Sequence, residues 1–134
     1  MDVTNPTPEW LSRMYRRIAL DPVREGRWFE SVIERWGMSE NQLAMQLGKP
    51  RAYVSQRRAL ARGSRAVHVA LRYGVITFSQ ARGICTVVTD RNRQRRLLHI
   101  VIRRLRAGEQ LTEQQCRNLA LETGKGEALG PGRA

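Results

Sequence analysis

Residues 39–61, S-E-N-Q-L-A-M-Q-L-G-K-P-R-A-Y-V-S-Q-R-R-A-L-A, decide the fold of this chain. Ser39 is a favoured N-cap residue, and Gln42 three positions later completes a capping box. Leu43 and Leu47 then recur at the spacing that places apolar side chains on one face of a helix. The stretch therefore begins with a short amphipathic helix.

A tight turn and a second helix follow. Gly48 ends the first helix, because glycine adopts the left-handed conformation after a helix at little cost. Pro50 is expected in the first turn of the second helix, where a missing N–H group is tolerated. Val54 and Leu60 give this helix a buried side. Two short helices across a glycine turn form the helix-turn-helix pattern, whose second helix enters the DNA major groove.

The charge of this region has a single sign. Residues 41–89 contain no Asp or Glu. They contain eight basic residues: Lys49, Arg51, Arg57, Arg58, Arg62, Arg65, Arg72 and Arg82. A solvated surface normally mixes both signs, whereas a one-signed small domain is typical of proteins that bind a phosphate polymer. Any helical hairpin can have a glycine turn and an apolar seam, so the charge is what favours DNA binding.

The composition of the whole chain also favours DNA binding. The chain has 134 residues, a net charge of +12 and a pI near 11.4. It has no apolar run of the roughly 20 residues that a membrane span needs and no signal peptide, so we expect a cytoplasmic, nucleoid- or plasmid-associated protein without membrane contact. No phosphate-binding loop, nucleophile motif or metal spacing is present, which predicts no enzyme activity, no cofactor, no metal and no small-molecule substrate.

The remaining residues with reactive side chains fit structural roles. Cys85 and Cys116 are too few for a disulfide framework, and their apolar helical context predicts unpaired, buried thiols. His68 and His99 stand alone, and a structural or surface role is expected for each. The three tryptophans all precede the glycine turn; they could stack on bases, but their helical spacing favours the core.

Cap and glycine signals divide the rest of the chain into further helices. Six more starts are predicted, at Thr7, Asp21, Ser64, Thr77, Asp90 and Thr112. Gln80 and Gln115 complete capping boxes with Thr77 and Thr112. The longest helix, from about Asp90 to Ala107, has an apolar stripe and many arginines, so it is either a second phosphate face or a partner surface. No strand pattern is present. We predict an all-α, compact multi-helix domain.

In its middle part the chain resembles the central DNA-binding domain of the ParB/KorB partition family. Residues 20–25, L-D-P-V-R-E, are similar to the family's "L-N-P-I-E-E" helix start. Residues 33–39, I-E-R-W-G-M-S, are similar to its "I-E-E-F-G-L-T/S" approach to the helix-turn-helix. Residues 43–49, L-A-M-Q-L-G-K, match "L-A-x-x-L-G-K", and Arg51, Tyr53 and Val54 fit "S-R-x-Y-V".

The similarity continues beyond the recognition helix, with some departures. Residues 73–77, Y-G-V-I-T, resemble "E-G-K-L-S", and residues 108–112, G-E-Q-L-T, lie where the family has a "G-L-S/T" turn. Pro50 replaces the usual Ser, and Ser79-Gln80 replaces "G-H" before Ala81-Arg82, so the role of that His is not carried over.

Three parts of the chain are expected. The resemblance implies a ParB-like domain over residues 20–122. The cap signals predict an N-terminal helical extension over residues 1–19, and the glycine and proline content predicts a disordered tail over residues 123–134. The family's nucleotide-binding and dimerisation domains have no counterpart in these residues. The expectation is therefore the DNA-reading module alone, without nucleotide-driven clamping.

Together, residues and resemblance predict a sequence-specific double-stranded DNA-binding protein, either a transcriptional regulator or an accessory partition factor. The candidate DNA-binding residues are Lys49, Arg51, Ser55, Gln56, Arg57, Arg58, Arg62 and Arg65. The first three lie at the front of the recognition helix, the Gln56 amide can pair with adenine, and the last four arginines are expected on phosphates. A homodimer formed on DNA is expected.

Three other classes of protein remain open. Two are a basic helical adaptor that binds an acidic protein and a non-specific architectural DNA binder. The third is an RNA-binding protein, although the exposed aromatic platform that RNA modules use is not evident. Selection of an operator from random duplexes separates these classes.

Overall fold

The computed structural model describes residues 6–19 and 21–129, with the backbone alone for residues 124–129. Within these residues there is no strand, and eight helices follow one another along the chain. They are α1 (Pro8–Ile18), α2 (Pro22–Trp36), α3 (Glu40–Leu47), α4 (Arg51–Ala61), α5 (Arg65–Arg72), α6 (Phe78–Val87), α7 (Arg91–Arg106) and α8 (Glu113–Leu129). The all-α prediction is confirmed.

The helices belong to two compact units, residues Met1–Arg62 and Gly63–Ala134. The first unit contains α1–α4 and the second α5–α8. The sequence interpretation treated residues 20–122 as one domain, but this range spans both units. Cap and turn signals are local, so they carry no information about which helices share a core.

The predicted helix starts are where the sequence signals place them. Thr7 Oγ1 accepts a hydrogen bond from the Trp10 backbone N–H at 3.1 Å. Side chains cap α2 at Asp21, α5 at Ser64 and α7 at Asp90. Such side-chain caps satisfy N–H groups that have no partner within the helix. The short polar residues therefore fix the helix boundaries.

Three of these starts are complete capping boxes. In each, the cap hydroxyl accepts from the N3 backbone N–H, while the N3 glutamine side chain accepts from the cap backbone N–H. The pairs are Ser39–Gln42, Thr77–Gln80 and Thr112–Gln115. All three were predicted from sequence and are confirmed.

The core of the first unit is apolar and closely packed. Its buried residues are Leu11, Phe29, Val32, Leu43, Ala44 and Val54. The three tryptophans are partly buried and pack against this cluster, as predicted for core residues. Leu11 comes from α1, which the sequence interpretation set apart as an extension. In the structure α1 supplies one wall of the core.

A glycine allows α2 and α4 to cross at short range. A Cβ atom at Gly26 would lie 2.0 Å from the Arg57 carbonyl oxygen and 2.7 Å from the Ala61 Cβ atom. No real side chain fits at that distance, so glycine is required here by packing rather than by backbone conformation. This crossing fixes α4, the predicted recognition helix, on the rest of the first unit.

The second unit has its own core and its own buried polar contacts. Val67, Ile84, Leu97 and Val101 are fully buried in it. The buried Gln94 side chain accepts from the Ser64 backbone N–H at 2.7 Å and donates to the Val88 carbonyl at 2.6 Å. A single glutamine thus ties the start of α5 and the end of α6 to α7.

Two local expectations differ from the structure. Pro50 occupies the N-cap position before α4 rather than its first turn, with φ −65° and ψ 150°. At the other end, the helical backbone of α8 continues to Leu129, through residues predicted to be disordered. Glycines lower helix propensity without blocking the helix as proline does. Residues 130–134 lie outside the described residues.

Candidate nucleic-acid interface

The turn between α3 and α4 has the geometry that the sequence predicted. Gly48 has φ 69° and ψ 33°, in the left-handed region. The Lys49 backbone N–H donates to the Ala44 carbonyl at 2.9 Å, and the Gly48 N–H donates to the Met45 carbonyl at 3.2 Å. These bonds satisfy the last carbonyls of α3 and turn the chain sharply into α4. The helix-turn-helix therefore lies entirely within the first unit.

The exposed face of α4 differs in composition from its buried face. Val54 and Leu60 are buried. On the opposite side Arg51, Ala52 and Ser55 are exposed. Arg62, directly after α4, continues this row, since positions 51, 55 and 62 lie within about 40° of one another at 100° per residue. We call Arg51, Ala52, Ser55 and Arg62 the outward face of α4.

The two arginines in the middle of α4 are far less exposed than the arginines of the outward face. Only 13% of the Arg57 side chain and 17% of the Arg58 side chain are exposed, compared with 70% for Arg51 and 60% for Arg62. The sequence interpretation placed all four among the DNA contacts. The structure instead holds Arg57 and Arg58 against carboxylates of the first unit.

Arg57 is part of a buried cluster around Glu25. Its Nε donates to Glu25 Oε1 at 3.2 Å, and its guanidinium carbon lies 3.4 Å from the centre of the Tyr53 ring. Glu25 Oε2 accepts from the Tyr53 hydroxyl at 2.6 Å and from the Tyr15 hydroxyl at 2.7 Å. A buried charge is tolerated only when it is paired and hydrogen-bonded. This cluster therefore joins α1, α2 and α4 at one point.

The environment of the cluster changes the acidity of its phenols. Burial raises the pKa of Tyr15, and the hydrogen bonds with Tyr53 and Glu25 raise it further. Burial and the hydrogen bond to Glu25 likewise raise the pKa of Tyr53. Both hydroxyls therefore stay protonated as donors at neutral pH. Lys49 adds a cation 5.0 Å from the Tyr53 ring centre, so this candidate residue lies against the same cluster.

Arg58 bridges two other acidic residues. Its Nε lies 2.5 Å from Glu30 Oε1 and its Nη1 lies 2.8 Å from Glu40 Oε2. Glu30 Oε1 also receives Arg62 Nη2 at 2.8 Å. Burial alone would raise the pKa of Glu30, but hydrogen bonds from Arg58 and Arg62 outweigh it and lower the pKa. The carboxylate therefore remains charged and holds α4 to α2.

The sequence interpretation, which counted charges only within residues 41–89, did not consider the carboxylates that pair with α4. Residues 41–89 contain no acid, yet Glu25, Glu30 and Glu40 reach the arginines of α4 from α2 and α3. Only chain folding brings them together, because they precede the basic stretch in the sequence. Part of the positive charge counted in that stretch is thus neutralised internally.

The remaining candidates are divided between the units. Ser55 is exposed at the centre of the outward face, and Gln56 is half-buried beside it. Arg65 is exposed in the first turn of α5, in the second unit. Sequence reasoning overlooked Ala52, whose exposed methyl group could contact the methyl group of thymine.

The family comparison agrees with this geometry. The model of the ParB HTH domain matches residues 19–120. The chain belongs to this ParB helix-turn-helix family. The match covers α2–α7 and the start of α8, and it therefore includes the helix-turn-helix of α3 and α4. The family is a DNA-binding one, and the prediction of a ParB-like DNA-binding domain is confirmed.

No curated protein matches the chain significantly. In the described part of this ParB-type domain, no helix is both long and apolar enough to cross a membrane. The same part contains no group of three or more His, Cys, Asp or Glu side chains arranged to hold a metal ion.

Proposed function

We propose that this ParB-type domain binds double-stranded DNA at a specific sequence, with α4 as the recognition helix. The observation that carries the proposal is the outward face of α4. Two exposed arginines stand at its ends, about 16 Å apart at 1.5 Å per residue. Between them, the side chains of Ala52 and Ser55 are short enough to let the helix approach the base edges of DNA closely. Arg51 and Arg62 can extend to the phosphate backbone of the DNA.

Each side chain on or beside this face has a definite chemical task. Ser55 can donate to or accept from a base edge, and the Gln56 amide can form two hydrogen bonds with adenine. Arg51 lies at the N-terminal end of α4, where recognition helices contact bases. Pro50 supplies no side-chain cap there, so the first N–H groups of α4 are available to a phosphate together with Lys49.

Arg57 and Arg58 support this surface indirectly. Since their guanidinium groups are engaged by Glu25, Glu30 and Glu40, their main task is to hold α4 in place. A recognition helix that is fixed on its domain loses less conformational entropy on binding. Arg51 and Arg62 also pair with Glu40 and Glu30, but 70% and 60% of their side chains remain exposed, so we assign phosphate contact to them before Arg57 and Arg58.

The biological role that fits such a reader is transcriptional regulation or an accessory function in DNA partition. A single helix-turn-helix reads a short segment, so most such proteins bind as two copies on inverted half-sites about 10 bp apart. We expect a monomer or weak dimer free in solution and pairing on DNA. Sedimentation with and without a selected duplex checks this, and a tight dimer without DNA would contradict it.

Selection from random-sequence duplexes tests the central proposal. We expect a consensus site. On that site Gln56→Ala should relax preference at one base pair, a loss of about 1–3 kcal/mol of discrimination. Arg62→Gln should weaken binding to selected and scrambled duplexes alike. It should also reduce the slope of log Kobs against log salt by the contribution of about one phosphate contact.

Gln110→Ala is a matched control, because Gln110 is exposed outside the helices of the second unit. It should leave both affinity and preference unchanged. Recovery of no consensus, with binding retained on every duplex, would replace this proposal with a non-specific architectural role. Failure to bind any duplex would favour the basic adaptor that contacts an acidic protein.

A further inference from the structure

Helix α7 presents a row of positive charge that the proposed role of α4 does not use. Its buried side is formed by Gln94, Leu97, Leu98 and Val101. On the opposite side four exposed residues lie within about 80° of one another at 100° per residue. We call these the outer stripe of α7: Arg95, His99, Arg103 and Arg106.

No acidic side chain compensates this stripe within the described residues. Helix α7 itself contains no Asp or Glu, and its N-cap Asp90 is engaged by the Asn92 and Arg93 backbone N–H groups. Arg95 donates to the Asn92 side chain at 3.2 Å, which satisfies a donor without neutralising the charge. The pair between Arg104 and Glu109, 3.9 Å apart, lies beside the stripe and is half exposed, so it contributes little.

The contrast with α4 shows that this is not a general property of the chain. In α4, Arg57 and Arg58 are held by buried or half-buried carboxylates. In the outer stripe, like charges such as Arg103 and Arg106 are three residues apart on one face, which destabilises a helix. The stripe therefore carries positive charge that the fold itself does not balance.

We propose that the outer stripe of α7 binds the phosphate backbone of double-stranded DNA independently of base sequence. Arg95 and Arg106 are about 16 Å apart along the helix. One strand of B-DNA has a phosphate about every 3.4 Å along its axis, so several phosphates lie within reach of the three guanidinium groups. The stripe thus supplies affinity and α4 supplies sequence preference.

The composition of α7 favours duplex DNA over other anionic ligands. Surfaces for single-stranded nucleic acid combine charge with exposed aromatic rings, and α7 contains no Phe, Tyr or Trp. Helices that lie on membranes expose an apolar face beside the charged one. In α7 the most apolar side is buried in the second unit, so only charge faces outward.

The test is a set of charge-removing substitutions in the full chain. The stripe variant combines Arg95→Gln, Arg103→Gln and Arg106→Gln. The matched control removes three exposed arginines of α1 instead: Arg13→Gln, Arg16→Gln and Arg17→Gln. Glutamine and arginine have similar helix propensity, so both variants should fold, which circular dichroism checks. Binding is measured to a mixed-sequence duplex between about 50 and 200 mM salt.

The stripe variant should reduce the slope of log Kobs against log salt by about two to three, since each phosphate contact contributes about 0.9. The control should change the slope by less than about 0.9, the contribution of one phosphate contact. Equal slopes for the two variants would overturn the proposal. It would also be overturned if the stripe variant kept the parental slope but lost binding to polyglutamate, which would indicate an acidic protein partner.

This result is separable from the test of α4. The stripe is measured on duplex of arbitrary sequence, whereas the role of α4 is measured as preference between sequences. The stripe variant could reduce the salt slope while the parent protein shows no preference between DNA sequences. In that case the inference about α7 would stand and the proposed function of α4 would be wrong.

Discussion

Replacing Gly26 by alanine tests the crossing of α2 and α4 directly. The added Cβ atom would lie 2.0 Å from the Arg57 carbonyl oxygen. That oxygen belongs to the backbone of α4, so it cannot rotate away as a side chain would. We expect Gly26→Ala to push the two helices apart and to displace the recognition helix.

The size of the effect follows from two opposing contributions. Alanine stabilises a helix interior relative to glycine by about 1 kcal/mol. Unstrained carbon–oxygen contacts begin near 3.3 Å. To reach this distance, α2 and α4 must move apart by more than about 1 Å, and the side chains between them then lose up to half of their dispersion energy. Overpacking typically costs about 1–3 kcal/mol, and a backbone partner places this case at the upper end. The expected net loss is about 2 kcal/mol.

Tryptophan fluorescence in urea measures this loss in the relevant unit. Trp10, Trp28 and Trp36 are the three tryptophans of the chain, and all lie in the first unit. Their signal therefore reports on α1–α4 alone. With a urea m-value of about 1–2 kcal/mol per M, the midpoint should fall by about 1–2 M.

Ser31→Ala is the matched control on the same helix. Ser31 is exposed on α2, so alanine gains helix propensity without a new contact. Its midpoint should be equal or higher. If Gly26→Ala matched this control, or bound a selected duplex as tightly as the parent, the close crossing of α2 and α4 would be refuted.

Three further predictions follow from the turn, the ion pairs and the thiols. Gly48→Val should cost more than about 1 kcal/mol and abolish DNA binding, because φ is 69°, while Gly48→Asn should cost less. Glu30 has a lowered pKa, so its contribution to stability is complete above its usual value of 4.5 and is lost as pH falls through the lowered pKa. In urea titrations, Glu30→Gln should flatten that dependence, and an unchanged pH profile would contradict the pairing with Arg58. Burial raises the pKa of Cys85 to about 12; Cys85→Ala with Cys116→Ala should therefore cost packing but leave DNA binding intact without reductant, and zinc in the purified protein would contradict this.

The sequence predicted most of the local structure because the signals are local. Ser39 with Gln42 and Thr77 with Gln80 form hydrogen bonds between residues three apart, so the sequence alone contains both partners. Gly48 has positive φ because its own lack of a side chain permits it. The order of these signals also sufficed to identify the ParB family.

The sequence did not predict which of the candidate residues are exposed. Ser55 and Arg51 are exposed on α4, as a recognition helix requires. Ala52 was overlooked because a methyl group gives no charge or hydrogen-bond signal. Arg57 was grouped with the outward arginines because a list of basic residues does not distinguish the faces of a helix. Arg58 has nearly the same angular position as Arg51 and Arg62, but Glu30 and Glu40 cover it, and this only the tertiary structure shows.

The sequence by itself determined where most of the helices begin, that they include a helix-turn-helix, and that the chain is strongly basic. Only the tertiary structure decided which charges remain available. Glu25 lies 32 residues before Arg57, and Glu30 lies 28 residues before Arg58, yet both pairs form ion pairs across α2 and α4. Local propensity cannot specify such pairs, since they depend on how closely the helices cross, and here that distance is set by the missing side chain of Gly26.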